Sequence, residues 1–403
     1  MIPVAKRNFT TAPHLWCVGG VDSELRIPFL LRLQAQGMAV TALTSGPTAP
    51  FASVGLRSIG YRLERYVNPF ADLATISRLA QLGAVAPPDL IQTFDTKPGL
   101  YVPLAFWRRR GVPVVRTVNG LGALLSDGAP LATCLRLVYG GLQRMVTPLV
   151  AMNVFQNADD RDFFLARGFA SPSRVHLIPG SGIDVEAFAR RLPDPARRAE
   201  IRRRLGIGDG MLVTTVCRMT RQKGIDTLLA AARLLRPRCP DMTFLLIGPQ
   251  DEPGPLAMRT DELEREAPYV RWLGARDDVP ELLGASDLFV LPTAYREGVP
   301  RVLLEAGVAG LAVVTTTMPG CVDTLESGRC GLLVAPGDAR ALADAIERCA
   351  REPELRHRFG VALHARVVRT FHLDAVVRAY FNLYARVLSA WPPLTKGRLG
   401  AAA

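Results

Sequence analysis

The sequence predicts an α/β protein of two Rossmann-like domains, each built on a parallel sheet. With 403 residues, the chain exceeds what one hydrophobic core usually supports. Short apolar runs of strand length alternate with amphipathic stretches of helix length through residues 13–184 and again from residue 212 onward. Between these halves, at 180–195, the periodicity lapses and glycine and proline accumulate, which is typical of an interdomain linker.

The alternation assigns the elements in order. The first half has candidate strands at 14–18, 39–44, 57–61, 90–94, 112–118, 151–155 and 175–179, and candidate helices at 25–36, 69–82, 131–145 and 158–167. The second half has candidate strands at 212–217, 243–247, 270–273, 288–291, 313–315 and 332–334, then helices at 338–351, 353–369 and 373–390. We therefore predict domains at 1–184 and 185–372, a C-terminal helix at 373–391 and a disordered tail at 392–403. The first half lacks GxGxxG, so no dinucleotide cofactor is indicated.

Composition and charge narrow the class of protein. Hydrophobic residues make up 49% and charged residues 21%, which is ordinary for a soluble globular protein. The net charge is +12, and residues 1–150 hold 15 lysines and arginines against 7 acidic residues. A basic first half favours an acidic partner such as anionic lipid, a lipid diphosphate or nucleic acid, although an arginine-rich composition explains it equally well. Since no nucleic-acid-reading motif is present, we expect no nucleic-acid partner.

Cysteine usage and hydropathy predict a cytoplasmic protein. The seven cysteines show no CxxC and no paired spacing, which indicates free thiols in a reducing compartment. The N-terminus lacks a signal-peptide core, and no window of eighteen uncharged apolar residues exists. The acids at 159–162 (DDRD) follow Asn157 at a predicted helix start, where capping explains them, so we expect no metal site.

The stretch DLFVLPTAYREGVPRVLLEAGVAG at 287–310 organises the second half. A buried strand leads through a loop with Gly298 and Pro300 into a helix, an arrangement that offers free amides to an anion. Glu297 lies in the loop, and Glu305 follows eight residues later, about two helical turns. Carboxylates would accept hydrogen bonds from hydroxyls, so the pattern indicates a ligand with phosphates between two hydroxyl-bearing ends, as in a nucleotide sugar. Each carboxylate taken alone is more often a solvated or capping group.

A second loop adds fixed cations. In CRMTRQKGIDTLLAA, which follows strand 212–217, Arg218 and Lys223 flank a loop that enters a helix beside Gly224. Two cations at a helix start suit a diphosphate, although two basic residues alone are more often solvent-exposed.

EGVPRVLLEA, preceded by Arg-x4-Lys-Gly, resembles the Glu-x7-Glu motif of the retaining glycosyltransferases of family 4, which have the GT-B fold. The resemblance implies two Rossmann-like domains whose parallel sheets face a central cleft, with the donor on the second domain, the acceptor on the first and the last helix returning to the first. It further implies that Glu297 orients the donor sugar, Glu305 holds the ribose, and Arg218 and Lys223 stabilise the leaving diphosphate of a UDP-sugar rather than a GDP-sugar. No metal and no cofactor are expected. The remaining donor-side candidates are Gly298, Val299, Pro300, Arg301 and Val302 in the loop and helix start, Gly248, Pro249 and Arg276 near the base, and the flexible pair Gly19 and Gly20.

Residues 97–122 resemble family members that extend glycans on polyprenyl diphosphate carriers. Lys97 and Gly99 are predicted in a loop after strand 90–94, and Asn119 stands where many relatives have a histidine. An amide can orient or hydrogen-bond but cannot act as a base. After PGC, Val322 and Asp323 replace the family's usual basic residue and glutamate. The resemblance implies a lipid-linked glycan acceptor and a role in surface polysaccharide biosynthesis, such as that of lipopolysaccharide or exopolysaccharide.

Segment 130–150 bears on localisation. It is apolar with Arg136 and Arg144 eight residues apart, and an amphipathic helix of this kind either contacts an anionic membrane surface or packs in the core. We predict a peripheral protein on the cytosolic face of the inner membrane.

Three alternatives to a glycosyltransferase remain: a nucleotide-sugar 2-epimerase on the same fold, a catalytically degenerate scaffold, and a basic nucleic-acid binder.

Overall fold

The computed structural model describes residues 12–64, 67–109, 111–121, 130–250, 254 and 256–391, and at 130–135 it describes the backbone only. The chain divides into two compact units. The first unit runs up to Asn119, resumes at Thr133–Ile178 and includes the chain from Val377 onward; the second comprises Gly120–Ala132 and Pro179–Val376. The predicted tail at 392–403 lies outside the described residues.

The first unit is built on a parallel sheet of seven strands in the order β3-β2-β1-β4-β5-β6-β7. The strands are β1 His14–Val18, β2 Ala39–Thr44, β3 Arg57–Gly60, β4 Leu90–Thr93, β5 Val114–Val118, β6 Met152–Phe155 and β7 Val175–Leu177. Each predicted strand of this half is present. The inner strands are short, largely buried runs that fit a parallel sheet, whereas the edge strands β3 and β7 are partly exposed. The winding direction reverses between β1 and β4, and ligands of open α/β sheets bind beyond the carboxyl ends of strands at such a point.

Helices connect these strands. They are α1 Ile27–Ala35, α2 Ala49–Ala52, α3 Pro69–Val85, α4 Thr96–Ala105, α5 Pro130–Val146 and α6 Ala158–Ala166. The prediction of a loop around Lys97 and Gly99 is wrong, since both residues lie in α4. Pro98 falls in the first helical turn, where no backbone donor is needed, and burial of Leu100 outweighs the low helix propensity of this stretch. At the start of α6, the Asn157 side chain accepts a hydrogen bond from the Asp160 amide at 2.8 Å, as capping predicts.

The last helix, α16, spans Leu373–Ala390 and reaches the sheet of the first unit. The buried Tyr384 hydroxyl donates to Gln92 Oε1 at 3.0 Å. The Tyr380 hydroxyl lies 2.8 Å from Thr117 Oγ1 on β5. Two buried tyrosines therefore tie the part of this helix from Val377 onward to strands β4 and β5.

The second unit contains a parallel sheet of six strands in the order β10-β9-β8-β11-β12-β13. The strands are β8 Leu212–Val216, β9 Thr243–Ile247, β10 Val270–Trp272, β11 Leu288–Leu291, β12 Ala312–Thr316 and β13 Leu332–Val334. The helices are α7 Val185–Ala189, α8 Pro195–Arg204, α9 Ile225–Leu235, α10 Thr260–Glu264, α11 Val279–Ala285, α12 Arg301–Val308, α13 Pro319–Thr324, α14 Ala339–Arg351 and α15 Pro353–Thr370. Apolar side chains on both faces of this sheet pack against the helices.

The predicted linker at 180–195 is partly helical. Helix α7 occupies Val185–Ala189, and the Asp184 side chain caps it by accepting from the Ala187 amide at 2.9 Å. Five residues are too few to show a helical period in the sequence, so the capping residue was the available signal.

None of the helices in the described part of the chain is both long and apolar enough to cross a membrane.

Candidate functional site

The carboxyl end of β11 presents the loop that the sequence singled out. All four residues of the strand are fully buried, so the strand fixes where the loop 292–300 begins. Helix α12 starts at Arg301, with Pro300 as its N-cap residue rather than in its first turn. Glu297, Gly298 and Val299 therefore all lie in the loop, as predicted for Glu297, and only about one turn of α12 precedes Glu305.

Lys223 and Glu297 form an ion pair in the second unit. Lys223 Nζ donates to Glu297 Oε1 at 2.7 Å, and their side chains are 12% and 22% exposed. The same ammonium lies 5.3 Å from the centroid of the Tyr295 ring. The structure thus brings together two of the predicted catalytic residues in a partly buried position, where charged groups interact more strongly than in water.

Glycines allow other chain segments to approach this loop closely. Gly224 has a left-handed φ of +72°, and a Cβ there would lie 1.9 Å from the Pro292 carbonyl oxygen. A Cβ on Gly320, in α13, would lie 2.2 Å from the Gly298 carbonyl oxygen. Gly120, which belongs to the second unit, bridges to Glu297 in antiparallel fashion. Backbone contacts that only glycine permits therefore hold the loop carrying Glu297.

Glu305 lies on α12, one turn beyond Arg301. Arg301 Nε donates to Glu305 Oε1 at 3.0 Å, and the Glu305 side chain is 15% exposed. Burial raises the pKa of the Glu305 carboxyl above its usual value, while Arg301 and Arg191 act in the opposite direction. The carboxylate is thus held in place by one arginine and poorly hydrated, which suits a group that accepts hydrogen bonds from a ligand.

Arg218, a diphosphate candidate, and the base-side candidates Gly248 and Pro249 follow neighbouring strands. Arg218 follows β8, and its carbonyl accepts from the Thr220 amide at 2.9 Å. Gly248 follows β9 with a φ of +142°, and a Cβ there would lie 1.9 Å from the Cys217 carbonyl oxygen. The Pro249 carbonyl accepts from the Met219 amide at 2.9 Å, so these two loops contact each other.

Arg276 differs from the other base-side candidates. Its exposed guanidinium donates two hydrogen bonds, of 2.8 and 2.6 Å, to the Asp278 carboxylate. This pair engages two of the five N–H donors of the guanidinium, and a contact of Arg276 with the base stays a prediction.

The first unit gathers the remaining predicted residues around one carboxylate. Gly20 N donates to Asp95 Oδ2 at 3.0 Å, and Asn119 Nδ2 donates to Asp95 Oδ1 at 3.1 Å. Gln156 Nε2 donates to Asn119 Oδ1 at 3.3 Å. The Gly19 carbonyl accepts from the buried Tyr61 hydroxyl at 2.8 Å. Sequence reasoning missed Asp95, although an aspartate directly after an apolar strand was a usable signal.

The arrangement offers hydrogen-bonding and ionic chemistry. Among the residues that the structure describes, no three histidine, cysteine, aspartate or glutamate side chains are grouped so that they could bind a metal ion. The second unit supplies an ammonium, two carboxylates and loop amides, and the first supplies a carboxylate and amide side chains. The groups of the second unit can by themselves bind a phosphorylated sugar compound and stabilise a negatively charged leaving group.

Two family models match the chain. One, described as glycosyl transferases group 1, covers residues 210–352, and the other, described as a glycosyl transferase 4-like domain, covers residues 30–181. Together they match both predicted halves.

Curated relatives carry specific names. The chain is 27% identical over 345 residues to the N,N'-diacetylbacillosaminyl-diphospho-undecaprenol alpha-1,3-N-acetylgalactosaminyltransferase of Campylobacter jejuni, covering 85% of this chain and 89% of the relative. It is 26% identical over 309 residues to the UDP-Gal:alpha-D-GlcNAc-diphosphoundecaprenol alpha-1,3-galactosyltransferase of Escherichia coli, covering 75% and 77%. It is 30% identical over 309 residues to the D-inositol 3-phosphate glycosyltransferase of Frankia alni, covering 72% of each chain.

Solved structures agree on the fold. A glycosyltransferase from Rickettsia africae has a TM-score of 0.77 at 18% identity and covers 95% of this chain and 100% of its own. Anabaena HepE in complex with UDP-glucose has a TM-score of 0.75 at 18% identity and covers 93% and 100%. The predicted fold class, GT-B with two parallel-sheet α/β domains, is confirmed.

Proposed function

The chain belongs to glycosyltransferase family 4, and from this premise we propose that it transfers a sugar from a UDP-sugar to a polyprenyl-diphosphate-linked glycan with retention of configuration. The observation that carries the proposal is the partly buried Lys223–Glu297 pair at the carboxyl end of β11. It joins a cation suited to a diphosphate with a carboxylate suited to sugar hydroxyls. The name of the Escherichia coli relative includes a UDP-sugar, and HepE was solved with UDP-glucose, which supports UDP as the nucleotide.

The donor would lie along the second unit. Lys223 and Arg218 would contact the diphosphate, with loop amides near Val299 contributing. Glu297 would orient the transferred sugar, and Glu305 would accept hydrogen bonds from the ribose hydroxyls. Gly248 and Pro249 would border the base. In this assignment no metal ion is needed, because Lys223, Arg218 and the amides supply the positive charge.

The proposed reaction occurs on one face of the sugar. The bond from the anomeric carbon to the diphosphate oxygen breaks, and its electron pair leaves with UDP. The acceptor hydroxyl oxygen bonds to the same face of that carbon, and its proton passes to the leaving phosphate oxygen. Asn119 hydrogen-bonds but takes no proton, since an amide is not basic. Lys223 and Arg218 stabilise the charge that develops on the diphosphate.

The acceptor assignment rests on the relatives. Both the Campylobacter jejuni and the Escherichia coli relative have an undecaprenyl diphosphate carrier in their names. We propose a similar lipid-linked glycan here, bound by the first unit, in a pathway of surface polysaccharide synthesis.

A lipid carrier requires access to a membrane, and α5 exposes Leu137, Val138 and Met145. Leu142 is partly buried, and the side chain of Leu135 lies outside the described residues.

We propose that α5 attaches the protein reversibly to the cytosolic face of the inner membrane. Co-sedimentation with vesicles should increase with anionic lipid and decrease with salt. Arg136→Glu with Arg144→Glu should weaken binding, whereas Arg329→Glu with Arg340→Glu, at two exposed positions of the second unit, matches the charge change as a control. Equal losses in both double variants would contradict a specific role for α5.

The function is tested with radiolabelled UDP-galactose, UDP-N-acetylgalactosamine, UDP-N-acetylglucosamine, UDP-glucose and GDP-mannose, each with and without GlcNAc-diphospho-undecaprenol. Transfer from one UDP-sugar to the lipid would support the proposal. Conversion of UDP-N-acetylglucosamine to its 2-epimer without transfer would support the epimerase alternative. Absence of both reactions, in protein that unfolds cooperatively, would favour the scaffold alternative.

A further inference from the structure

Asp95 has a backbone conformation that glycine adopts far more readily. Its φ is +71° and its ψ is 162°, in a region that is almost restricted to glycine. A non-glycine residue there costs stability, and such residues concentrate at functional sites. The cost requires an explanation in terms of what the aspartate side chain does.

Local structure does not explain the aspartate. Asp95 is the N-cap residue of α4, where an aspartate usually accepts a hydrogen bond from the first helical turn, but its side chain makes no such bond. Instead the carboxylate accepts from Gly20 N and Asn119 Nδ2, and Arg26 lies 3.8 Å away. Arg26 in turn stacks on the Phe94 ring, 3.7 Å from its centroid. The carboxylate is therefore directed away from the helix and fixed beside a stationary cation.

The position of Asp95 in the fold is that of a ligand contact. It follows β4, next to the loop after β1, at the point where the winding of the first sheet reverses. The side chain is 45% exposed. An ionised carboxylate has about four acceptor positions, and the two hydrogen bonds from Gly20 and Asn119 leave others for a hydroxyl.

Buried polar atoms without partners support this location. Three such side-chain atoms occur within the described residues: Arg26 Nε, Ser45 Oγ and Thr93 Oγ1. Arg26 follows β1, Ser45 follows β2 and Thr93 ends β4, so all three lie at the carboxyl edge of the first sheet. Unsatisfied buried polar atoms are uncommon, and a catalytic role or an added polar partner is among their explanations.

We propose that Asp95 binds a hydroxyl of the acceptor sugar and at the same time orients the Asn119 amide toward it. This inference rests on the proposed function and names the acceptor contact within it. Asp95 accepts the hydroxyl's hydrogen bond without taking its proton, so it fixes the direction of the attacking oxygen. A carboxylate in this role selects for a sugar with a free hydroxyl at the bound position.

Two variants distinguish the effect of the Asp95 carboxylate from the effect of its backbone conformation. Asp95→Gly removes the carboxylate but adopts the same backbone conformation at no steric cost. Asp95→Asn keeps the shape and removes the charge. Asp89→Asn is the matched control, because Asp89 precedes the same strand and its Oδ2 accepts a hydrogen bond from His14 N at 2.7 Å.

We expect kcat/KM for GlcNAc-diphospho-undecaprenol to fall about tenfold to a hundredfold in both Asp95 variants and to stay near wild type in Asp89→Asn. The affinity for UDP should not change, and the Tm of Asp95→Gly should equal or exceed that of wild type. Unchanged kcat/KM in either Asp95 variant would overturn the inference. An Asp95→Gly variant with both a lower Tm and a lower UDP affinity would also overturn it, because that result indicates that Asp95 stabilises the structure instead of binding the acceptor.

A binding experiment keeps this test independent of the proposed function. Failure of the wild-type protein to transfer any sugar would contradict the proposed function alone. Calorimetric titration with a short-chain GlcNAc-diphosphate lipid reports on Asp95 whether or not transfer occurs. Weaker binding by both Asp95 variants supports the inference, and wild-type affinity in both contradicts it.

Discussion

Replacing Glu297 by glutamine should strengthen UDP binding while it slows transfer. Lys223 Nζ is paired with Glu297 at 2.7 Å, so an arriving diphosphate competes with this carboxylate for the ammonium. The carboxylate also repels the phosphates. Glu297→Gln keeps the shape and a hydrogen-bond acceptor for Lys223 but removes the charge, so both effects diminish. Transfer slows because the sugar loses the group that orients it.

The magnitude follows from Coulomb's law. Two unit charges about 6 Å apart, at an effective dielectric constant of about 20, repel by about 3 kcal/mol. Since the Glu297 side chain is 22% exposed, solvent screening reduces this term. We therefore expect about 1–2 kcal/mol, a gain in UDP affinity of about fivefold to thirtyfold. Lys223→Ala should lower turnover by about a hundredfold or more, because it removes a fixed charge from the developing anion.

The assay is calorimetric titration with UDP of wild type, Glu297→Gln, Lys223→Ala and the double variant. The double variant should bind UDP more tightly than Lys223→Ala, since it lacks the unpaired carboxylate. If Glu297→Gln binds UDP no better than wild type, the two side chains do not compete as proposed. If Lys223→Ala also retains full turnover and a normal fold, Lys223 has no role in the reaction.

Three further changes test the site and the fold. Gly224→Ala should destabilise the protein more than Gly310→Ala in thermal unfolding: both glycines have a φ of +72°, but a Cβ meets the Pro292 oxygen at 224 and nothing within 4 Å at 310. Equal losses would contradict this account. The difference in UDP affinity between wild type and Glu305→Gln should shrink as pH falls from about 8 to about 5, because the raised pKa of Glu305 lets its carboxyl take up a proton at a higher pH than an ordinary glutamate. In an Arg301→Ala background the same difference should shrink at a higher pH still, since Arg301 lowers this pKa. A pH-independent difference would refute the assignment of Glu305. Tyr384→Phe should lower the unfolding free energy by about 1–3 kcal/mol, since it leaves the buried Gln92 Oε1 unpaired; an unchanged unfolding midpoint in urea would show that the hydroxyl contributes nothing.

The strands were predictable because a short run of consecutive residues determines each of them. Strands such as β9 and β11 are runs of four or five mostly apolar residues bounded by polar or turn-forming residues, and their burial on both faces leaves no other good placement. Helix α4 was not predictable in this way. Gly99 and Pro103 both disfavour a helix, and only the burial of its apolar side chains in the tertiary structure makes the helix favourable.

Motif spacing identified site residues but not their contacts. The order of residues singled out Lys223 and Glu297, yet their ion pair joins positions 74 apart and depends on the close approach at Gly224. Arg276 looked available to a base, whereas it pairs with Asp278 two residues later. Asp95 was missed although it directly follows an apolar strand, because its backbone conformation and its contact with Gly20, 75 residues away, have no sequence signature.

The anomeric configuration of the product distinguishes transfer with retention from transfer with inversion. The product formed from an α-linked UDP-sugar and GlcNAc-diphospho-undecaprenol can be analysed by the one-bond carbon–hydrogen coupling at the new anomeric centre. Retention gives an α linkage, formed on the face that UDP leaves, and Glu297→Ala should form the same product with the same configuration but much more slowly. A β linkage would contradict the retaining mechanism, and release of free sugar without any glycolipid product would contradict the assignment of the acceptor.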